Sequence, residues 1–171
     1  MKHARLVSRV IVPLALGAIG ACNKAETPSA RPAADTAPPA AEASATEASQ
    51  GQKVFARTCQ MCHQMNGQGI PGTYPPQAGS PYINGDKAKL IRIALNGLQG
   101  PVTVEEKNYN GVMPPQRAVL SDSDLAAVLT YVRGHFGNTA SAVTPDEVAH
   151  ERGATANRTA LWTIDALNKS R

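Results

Sequence analysis

The spacing of apolar and polar residues predicts short helices joined by long loops. The clearest helix lies in the second half of the chain, where apolar residues recur at the i, i+3, i+4 and i+7 spacing of one helix face. These residues are Leu125, Val128, Leu129 and Val132. Ser121 followed by Asp124 is typical of a helix N-terminus, and Gly137 is expected to end the helix.

Two further helices are predicted upstream. The first is expected to begin at Ser49, which opens a capping-box pattern in front of an apolar pair. The second covers residues 86–95, with Asp86 as its cap and Gly97 near its end.

The intervening segments carry little sign of regular structure. Residues 66–85 are dense in Gly, Pro, Asn and Ser, which predicts a loop region. No alternating strand pattern is longer than residues 101–104. The pattern therefore predicts an all-α domain over residues 49–138, with long loops that must wrap something other than their own backbone.

The N-terminus has the layout of an export signal. Residues 1–21 combine basic residues, an apolar run too short to span a bilayer and small residues, as secretory signal peptides do. The four residues ending at Cys22 resemble the lipobox of bacterial lipoproteins, in which the cysteine is lipidated. Ordinary cleavage after Ala21, with an incidental cysteine beside it, is the alternative. Asn23 does not resemble an inner-membrane retention signal, which favours the outer membrane.

Composition and charge change after this signal. Residues 22–48 are mostly Ala, Pro, Ser, Thr and Glu without a large apolar residue, which predicts a disordered tether. The net charge of +4 divides into +3 for residues 1–21, −2 for 22–49, +3 for 50–138 and zero for 139–171. No segment is basic enough to indicate a nucleic-acid partner.

Residues 139–171 form a C-terminal extension. Thr144 and Pro145 with Glu147 predict a well-capped helix. A short apolar cluster follows: Leu161, Trp162, Ile164 and Leu167. Two arrangements are open, since the extension either folds back on the domain or docks a partner.

The chemistry is indicated by Cys59, Cys62 and His63, which form a CxxCH motif. In such a motif both thiols add to the vinyl groups of a haem and the histidine binds its iron. A zinc site or a redox dithiol is the alternative. Zinc needs further ligands and the chain has no second cysteine pair, while a dithiol of the thioredoxin type needs a βαβ context that the pattern lacks. The motif therefore predicts one covalent haem c.

Met113 is the candidate for the second axial ligand. It lies between Gly111-Val112 and Pro114-Pro115, where the prolines are expected to fix a loop. Met61 and Met65 flank the proximal ligand and cannot reach the other haem face. His135 is the rival ligand, and simple packing in the core is the alternative role for Met113.

With the CxxCH motif, the Gly-Val-Met-Pro-Pro segment and the last helix, residues 49–138 resemble a class I, monohaem cytochrome c. They are especially similar to the small cytochromes that accompany periplasmic dehydrogenases and copper nitrite reductases. Gln77 stands where that family usually has Leu, which implies a more polar haem wall. The resemblance also implies contact of Gly51 and Phe55 with the last helix near Tyr131.

The resemblance implies three further site residues. The carbonyl of Pro71 is expected to accept a hydrogen bond from the His63 ring, and Tyr74 and Arg92 are candidates for contact with the haem propionates. A core position is an equally possible interpretation for Tyr74, and a solvated position is equally possible for Arg92.

An iron with His63 and Met113 as ligands has no free position for a substrate, so the sequence predicts a periplasmic, membrane-tethered electron carrier rather than an enzyme. Its expected partners are a redox donor and a redox acceptor, together with the membrane through its lipid anchor. One alternative is a dedicated cytochrome subunit of a dehydrogenase or nitrite reductase. Another is a haem enzyme or gas sensor with a labile sixth ligand.

Overall fold

Short helices surround one small hairpin in the computed structural model, which describes the backbone of residues 40–170 and the side chains of residues 46–170. The elements in chain order are α1 (Ala40–Val54), a π-helical turn (Phe55–Cys59), α2 (Gln60–His63), α3 (Pro81–Asn84), α4 (Lys87–Asn96), β1 (Leu98–Val104), β2 (Lys107–Met113), α5 (Asp122–Gly134), α6 (Pro145–Ala154) and α7 (Ile164–Lys169). The predicted signal peptide, Cys22 and the tether as far as residue 39 lie outside the described residues.

Helix α1 begins earlier than the sequence pattern predicts. It starts at Ala40, so Ser49 lies inside the helix and does not cap it. Residues 40–48 are mostly Ala and Glu, which have high helix propensity although they bury little apolar surface. The predicted tether of residues 22–48 was therefore wrong for its last part, because low apolar content was taken as a sign of disorder.

Helices α1 and α5 cross at very short range. A Cβ atom built on Gly51 would lie 2.3 Å from the carbonyl oxygen of Ala127 and 2.6 Å from Cβ of Tyr131. The rings of Phe55 and Tyr131 are 5.7 Å apart. The expected contact is confirmed, and glycine is required there because only a residue without Cβ allows this approach.

The predicted ends of α4 and α5 are largely confirmed. The side chain of Asp86 accepts a hydrogen bond from the Lys89 amide at 3.1 Å, and α4 stops before Gly97, whose φ is +78°. The Ser121 hydroxyl accepts from the Asp124 amide at 3.1 Å. Helix α5 ends at Gly134, three residues before the predicted stop.

The sequence pattern missed the β-hairpin. Strands β1 and β2 pair antiparallel with Leu98 opposite Met113, and the turn is formed by Glu105 and Glu106 at φ values of +48° and +61°. Tight hairpin turns with two positive φ values favour Asn and Gly, so two glutamates gave no signal. Helices with one small sheet agree with a class I cytochrome c fold.

The C-terminal extension folds back on the domain. Helix α6 packs beside α5 and α4, and its N-terminus has the predicted capping box of Thr144 and Glu147. Trp162 is buried and joins the backbone of β1, with its amide donating to the Gly97 carbonyl at 3.0 Å. The extension therefore forms part of the same body as the helices around the CxxCH motif.

The core lies between α1, α4, α5 and α6. Its most deeply buried residues include Val54, Ile91, Leu95, Leu125, Val132 and Val148. Within residues 40–170, no helix is both long and apolar enough to cross a membrane.

Candidate functional site

An apolar cleft opens beside the CxxCH motif. Cys59 and Leu125 are among the residues that line its inner part. Cys62 and Tyr74 lie in the wall of its outer part. Five residues line both parts: His63, Pro75, Leu98, Val102 and Met113. The two parts therefore adjoin each other and form one cleft.

The helical path of the chain sets the positions of the two cysteines. Helix α1 continues through the π-helical turn into α2, with the Gln60 amide donating to the Phe55 carbonyl. π-Helical turns inside helices occur frequently at functional sites. Cys59 consequently faces the inner part of the cleft and Cys62 the outer part, and both are half-buried.

The environment of the thiols does not suit dithiol redox chemistry. Burial, followed by the proximity of Cys62, raises the pKa of the Cys59 thiol to about 11. A redox-active cysteine has a depressed pKa, because the thiolate is the reactive form. Among the described residues, no group of three or more His, Cys, Asp or Glu side chains is arranged to hold a metal ion. Both findings weigh against the dithiol and zinc alternatives.

His63 is held in the tautomer that a haem ligand needs. Its Nδ1 lies 3.1 Å from the carbonyl oxygen of Pro75, which can only accept, so Nδ1 carries the proton. Nε2 is then left with a free lone pair. Burial lowers the pKa of His63, although the bond to Pro75 opposes that shift, and the neutral imidazole is the form that binds a metal.

The prediction for Pro71 was wrong. The carbonyl that accepts from His63 belongs to Pro75, four residues further along. Ile70 and Tyr74 exchange backbone hydrogen bonds of 2.9 and 2.8 Å, which places Pro71 in an exposed turn between them. Motif spacing alone did not distinguish the prolines of this loop, because the turn that removes Pro71 depends on pairing across it.

Met113 is in the predicted position. It is half-buried at the end of β2 and lines both parts of the cleft. His135, the rival ligand, lines neither part and stacks on Tyr131 at 4.0 Å, with its Nδ1 2.8 Å from the Tyr131 carbonyl oxygen. Met61 and Met65 are 84% and 79% exposed. The structure thus brings Met113, and none of these rivals, into the cleft beside His63.

Tyr74 and Arg92 differ in their positions. Tyr74 lines the outer part of the cleft, and its contact with a propionate stays a prediction. Arg92 lines neither part, because its Nε is 2.5 Å from Oε2 of Glu151 and its Nη1 is 2.9 Å from Oγ of Ser170. The propionate role for Arg92 was therefore wrong. Its buried partner comes 59 residues later in the chain, where no local pattern indicates it.

The residues of the cleft fit a covalent c-type haem. The space is apolar, its wall carries a thioether and a neutral imidazole, and two thiols one helical turn apart lie beside it. These groups match the donor set of a c-type haem. Trp162 was not predicted as a site residue, although it lies in the cluster against which Met113 packs. The signal for this role in the sequence was weak, namely that Trp162 is the only Trp in the chain.

Comparisons with known proteins agree with this geometry. A family model described as cytochrome c matches residues 48–135. Cytochrome c-552 of Thermus thermophilus is 44% identical over 92 residues, which cover 52% of this chain and 69% of the relative.

Two dehydrogenase subunits are also similar. The cytochrome c subunit of the quinone alcohol dehydrogenase of Gluconobacter oxydans is 32% identical over 92 residues, 53% of this chain and 19% of that subunit. The cytochrome c subunit of the gluconate 2-dehydrogenase of Pantoea cypripedii is 33% identical over 110 residues, 60% of this chain and 24% of that subunit. The chain thus matches no more than about a quarter of either dehydrogenase subunit.

Proposed function

Because the chain belongs to the cytochrome c family, we propose that it is a membrane-tethered carrier of single electrons outside the cytoplasm, with His63 and Met113 as the two ligands of its haem iron. The family binds haem c covalently, and Cys59 and Cys62 fit its attachment motif. The haem supplies an iron that changes reversibly between two oxidation states. The protein residues attach it, orient it and control what reaches it.

One observation carries the ligand assignment: His63 and Met113 line the same two parts of one cleft. The bond between His63 Nδ1 and the Pro75 carbonyl fixes the imidazole so that only Nε2 is free to bind iron. Met113 offers a neutral, polarisable sulfur that favours the reduced iron and raises the potential. With His63 and Met113 as its two ligands, the iron would have no position left for a substrate, which supports electron transfer without bond formation.

The rim of the outer cleft supports contact with a redox partner. Val112 lines this part of the cleft together with Thr73 and Tyr74, and it is 60% exposed. Within the part of the chain that the structure describes, no Lys, Arg, Asp or Glu lines this part of the cleft. An uncharged, partly apolar rim suits a small interface from which a partner is released quickly.

The absorption spectrum of the purified oxidised protein tests the ligand assignment. We expect the weak near-infrared band of methionine bound to ferric haem, together with a low-spin spectrum. A high-spin spectrum without this band would instead favour the haem enzyme or gas sensor, because the sixth position would then be open. Haem that remains attached after denaturation confirms the thioether bonds independently of the axial ligands.

A dedicated subunit role is the second candidate. Two of the similar proteins are by name cytochrome c subunits of dehydrogenases, which favours a fixed oxidoreductase partner. Solubilisation of the native membrane and co-purification with the full chain separates the two roles. A stoichiometric complex with a dehydrogenase or nitrite reductase supports the subunit role, and a haem protein that elutes alone supports the free carrier.

The location rests on the N-terminal sequence. Residues 1–21 and Cys22 have the form of a lipoprotein signal, and Asn23 favours the outer membrane over the inner membrane. Labelling with a radioactive fatty acid should mark the wild-type chain and leave Cys22→Ser unlabelled. Equal labelling of the two chains would contradict a lipid anchor at Cys22.

A further inference from the structure

Gln77 is a buried polar residue in the wall of the inner cleft. Only 8% of it is exposed, and its side-chain oxygen has no hydrogen-bond partner among the described residues. A buried oxygen without a partner loses its hydration without compensation, which destabilises the fold. Such a group requires an explanation, and an interaction with the occupant of the cleft supplies one.

The backbone keeps this side chain at the cleft. The Gln77 amide donates to the Gly67 carbonyl at 2.8 Å, and the Gln77 carbonyl accepts from Nδ2 of Asn138 at 3.0 Å. Asn138 is itself buried and donates to the Val132 carbonyl at 2.8 Å. These bonds fix the backbone of Gln77 beside the cleft, and its side chain is buried there.

The surroundings of the Gln77 amide are apolar. Among the described residues, no Lys, Arg, Asp or Glu lines the inner cleft, although the hydroxyl residues Ser80 and Tyr82 do. The polar side chains of His63 and Gln116 in its wall already have partners, since His63 is bonded to the Pro75 carbonyl and Gln116 donates to the Pro114 carbonyl at 2.9 Å. The Gln77 dipole therefore acts in a medium of low dielectric constant, where its effect on a nearby charge is strong.

We propose that the Gln77 amide stabilises the oxidised haem relative to the reduced haem and so lowers the reduction potential of this protein. The inference rests on the proposed function, because it requires a haem in the cleft. Ferric haem carries one more positive charge than ferrous haem, and the unpartnered oxygen, which is the negative end of the amide dipole, would stabilise that charge. Hydrogen bonding and dielectric around the cofactor are established means of setting a haem potential.

The test compares the midpoint potentials of the purified holoproteins. Gln77→Leu and Gln77→Met remove the amide, and the second variant keeps the unbranched shape of the side chain. Gln68→Met is the matched control, because Gln68 is exposed and lines neither part of the cleft. We expect both Gln77 variants to shift the one-electron equilibrium about tenfold towards the reduced protein, a rise of about 59 mV, with no shift in the control.

Two results would overturn the inference. The first is a potential of Gln77→Met equal to or below that of the wild type, with the near-infrared band of Met ligation retained. The second is an equal rise in Gln68→Met. If Gln77→Leu does not fold, Gln77→Met still decides. A wild-type protein without covalent haem would instead contradict the proposed function, so the two failures are distinguishable.

Discussion

Trp162 and Leu98 form a parallel backbone bridge that attaches the C-terminal extension to the strand opposite Met113. The Gln99 amide donates to the Trp162 carbonyl at 2.8 Å, which completes the bridge. The indole packs with Ile93 in the cluster that also contacts Met113. The extension thus supports β1, the strand that pairs with the proposed ligand's strand β2.

Trp162→Ala is expected to loosen the Met113 segment. Removal of a buried Trp side chain leaves a cavity and costs about 3–5 kcal/mol. The near-infrared band of Met ligation should therefore disappear at a lower temperature than in the wild type. Val119→Ala is the control, because Val119 is 66% exposed. If the band disappears at the same temperature in the wild type and in Trp162→Ala, the extension does not support Met113.

Met113→Ala is expected to keep the covalent haem and lower the reduction potential. The cysteine attachment is independent of the sixth ligand, whereas loss of the thioether removes the ligand that favours ferrous iron. The opened iron should also bind carbon monoxide, as absorption spectra would reveal. Met65→Ala, a change at an exposed methionine, should alter neither property. An unchanged potential in Met113→Ala contradicts the assignment.

Glu151→Ala is expected to unfold more easily while its haem spectrum stays unchanged. Glu151 is paired with buried Arg92, and removal of one partner of a buried ion pair costs about 3–5 kcal/mol. Arg57→Ala breaks the more exposed pair with Asp124 and should cost less than about 1 kcal/mol. Urea denaturation measures both changes. A shift of the haem spectrum in Glu151→Ala would show that the pair acts on the cleft after all.

Gly51→Ala and Gly153→Ala are expected to change stability in opposite directions. A methyl group on Gly51 collides with the backbone of α5, which costs about 1–3 kcal/mol. Gly153 lies in α6 with no atom within 4 Å of the added Cβ, so alanine there should gain about 0.5–1 kcal/mol of helix propensity. Thermal unfolding of the two variants measures the difference. If both variants lose stability, the close crossing of α1 and α5 is not the cause of the loss in Gly51→Ala.

Glu147→Gln is expected to destabilise the protein at neutral pH and not in strong acid. The pKa of Glu147 is lowered first by the hydrogen bond from the Lys87 side chain and then by the bond from the Thr144 amide. A carboxyl group with a lowered folded-state pKa stabilises the fold at neutral pH, and this contribution is lost as the pH falls through that pKa. The group is partly exposed, so the effect should stay below about 1 kcal/mol. The urea midpoints of the wild type and of Glu147→Gln at several pH values test this. A difference between the two midpoints that does not change with pH would contradict it.

The features that were predicted correctly from the sequence are those that local signals determine. Cys59, Cys62 and His63 are adjacent in the chain, and the capping residues Asp86 and Ser121 act within one helical turn, so spacing was sufficient. The position of Met113 at the cleft was predicted from the prolines that follow it, although it ends strand β2 and does not lie in a loop.

The errors concern contacts between distant segments and a turn of unusual composition. Arg92 pairs with Glu151 of a later helix, and the hairpin turns on two glutamates that rarely adopt positive φ. Pro71 was mistaken for Pro75 because the bridge between Ile70 and Tyr74 has no pattern of its own in the sequence. Pairing of this kind depends on tertiary structure and is not encoded in residue spacing.

The uncharged rim of the outer cleft has a consequence for how this protein responds to its surroundings. Charged docking surfaces attract partners over a Debye length that shortens as ions are added, and their association slows accordingly. Among the described residues, no charged side chain lines the outer cleft, where Val112 and Tyr74 lie, so the contacts that a partner makes there are uncharged. Added salt should then screen the +3 charge of residues 50–138 and leave these short-range contacts unaffected.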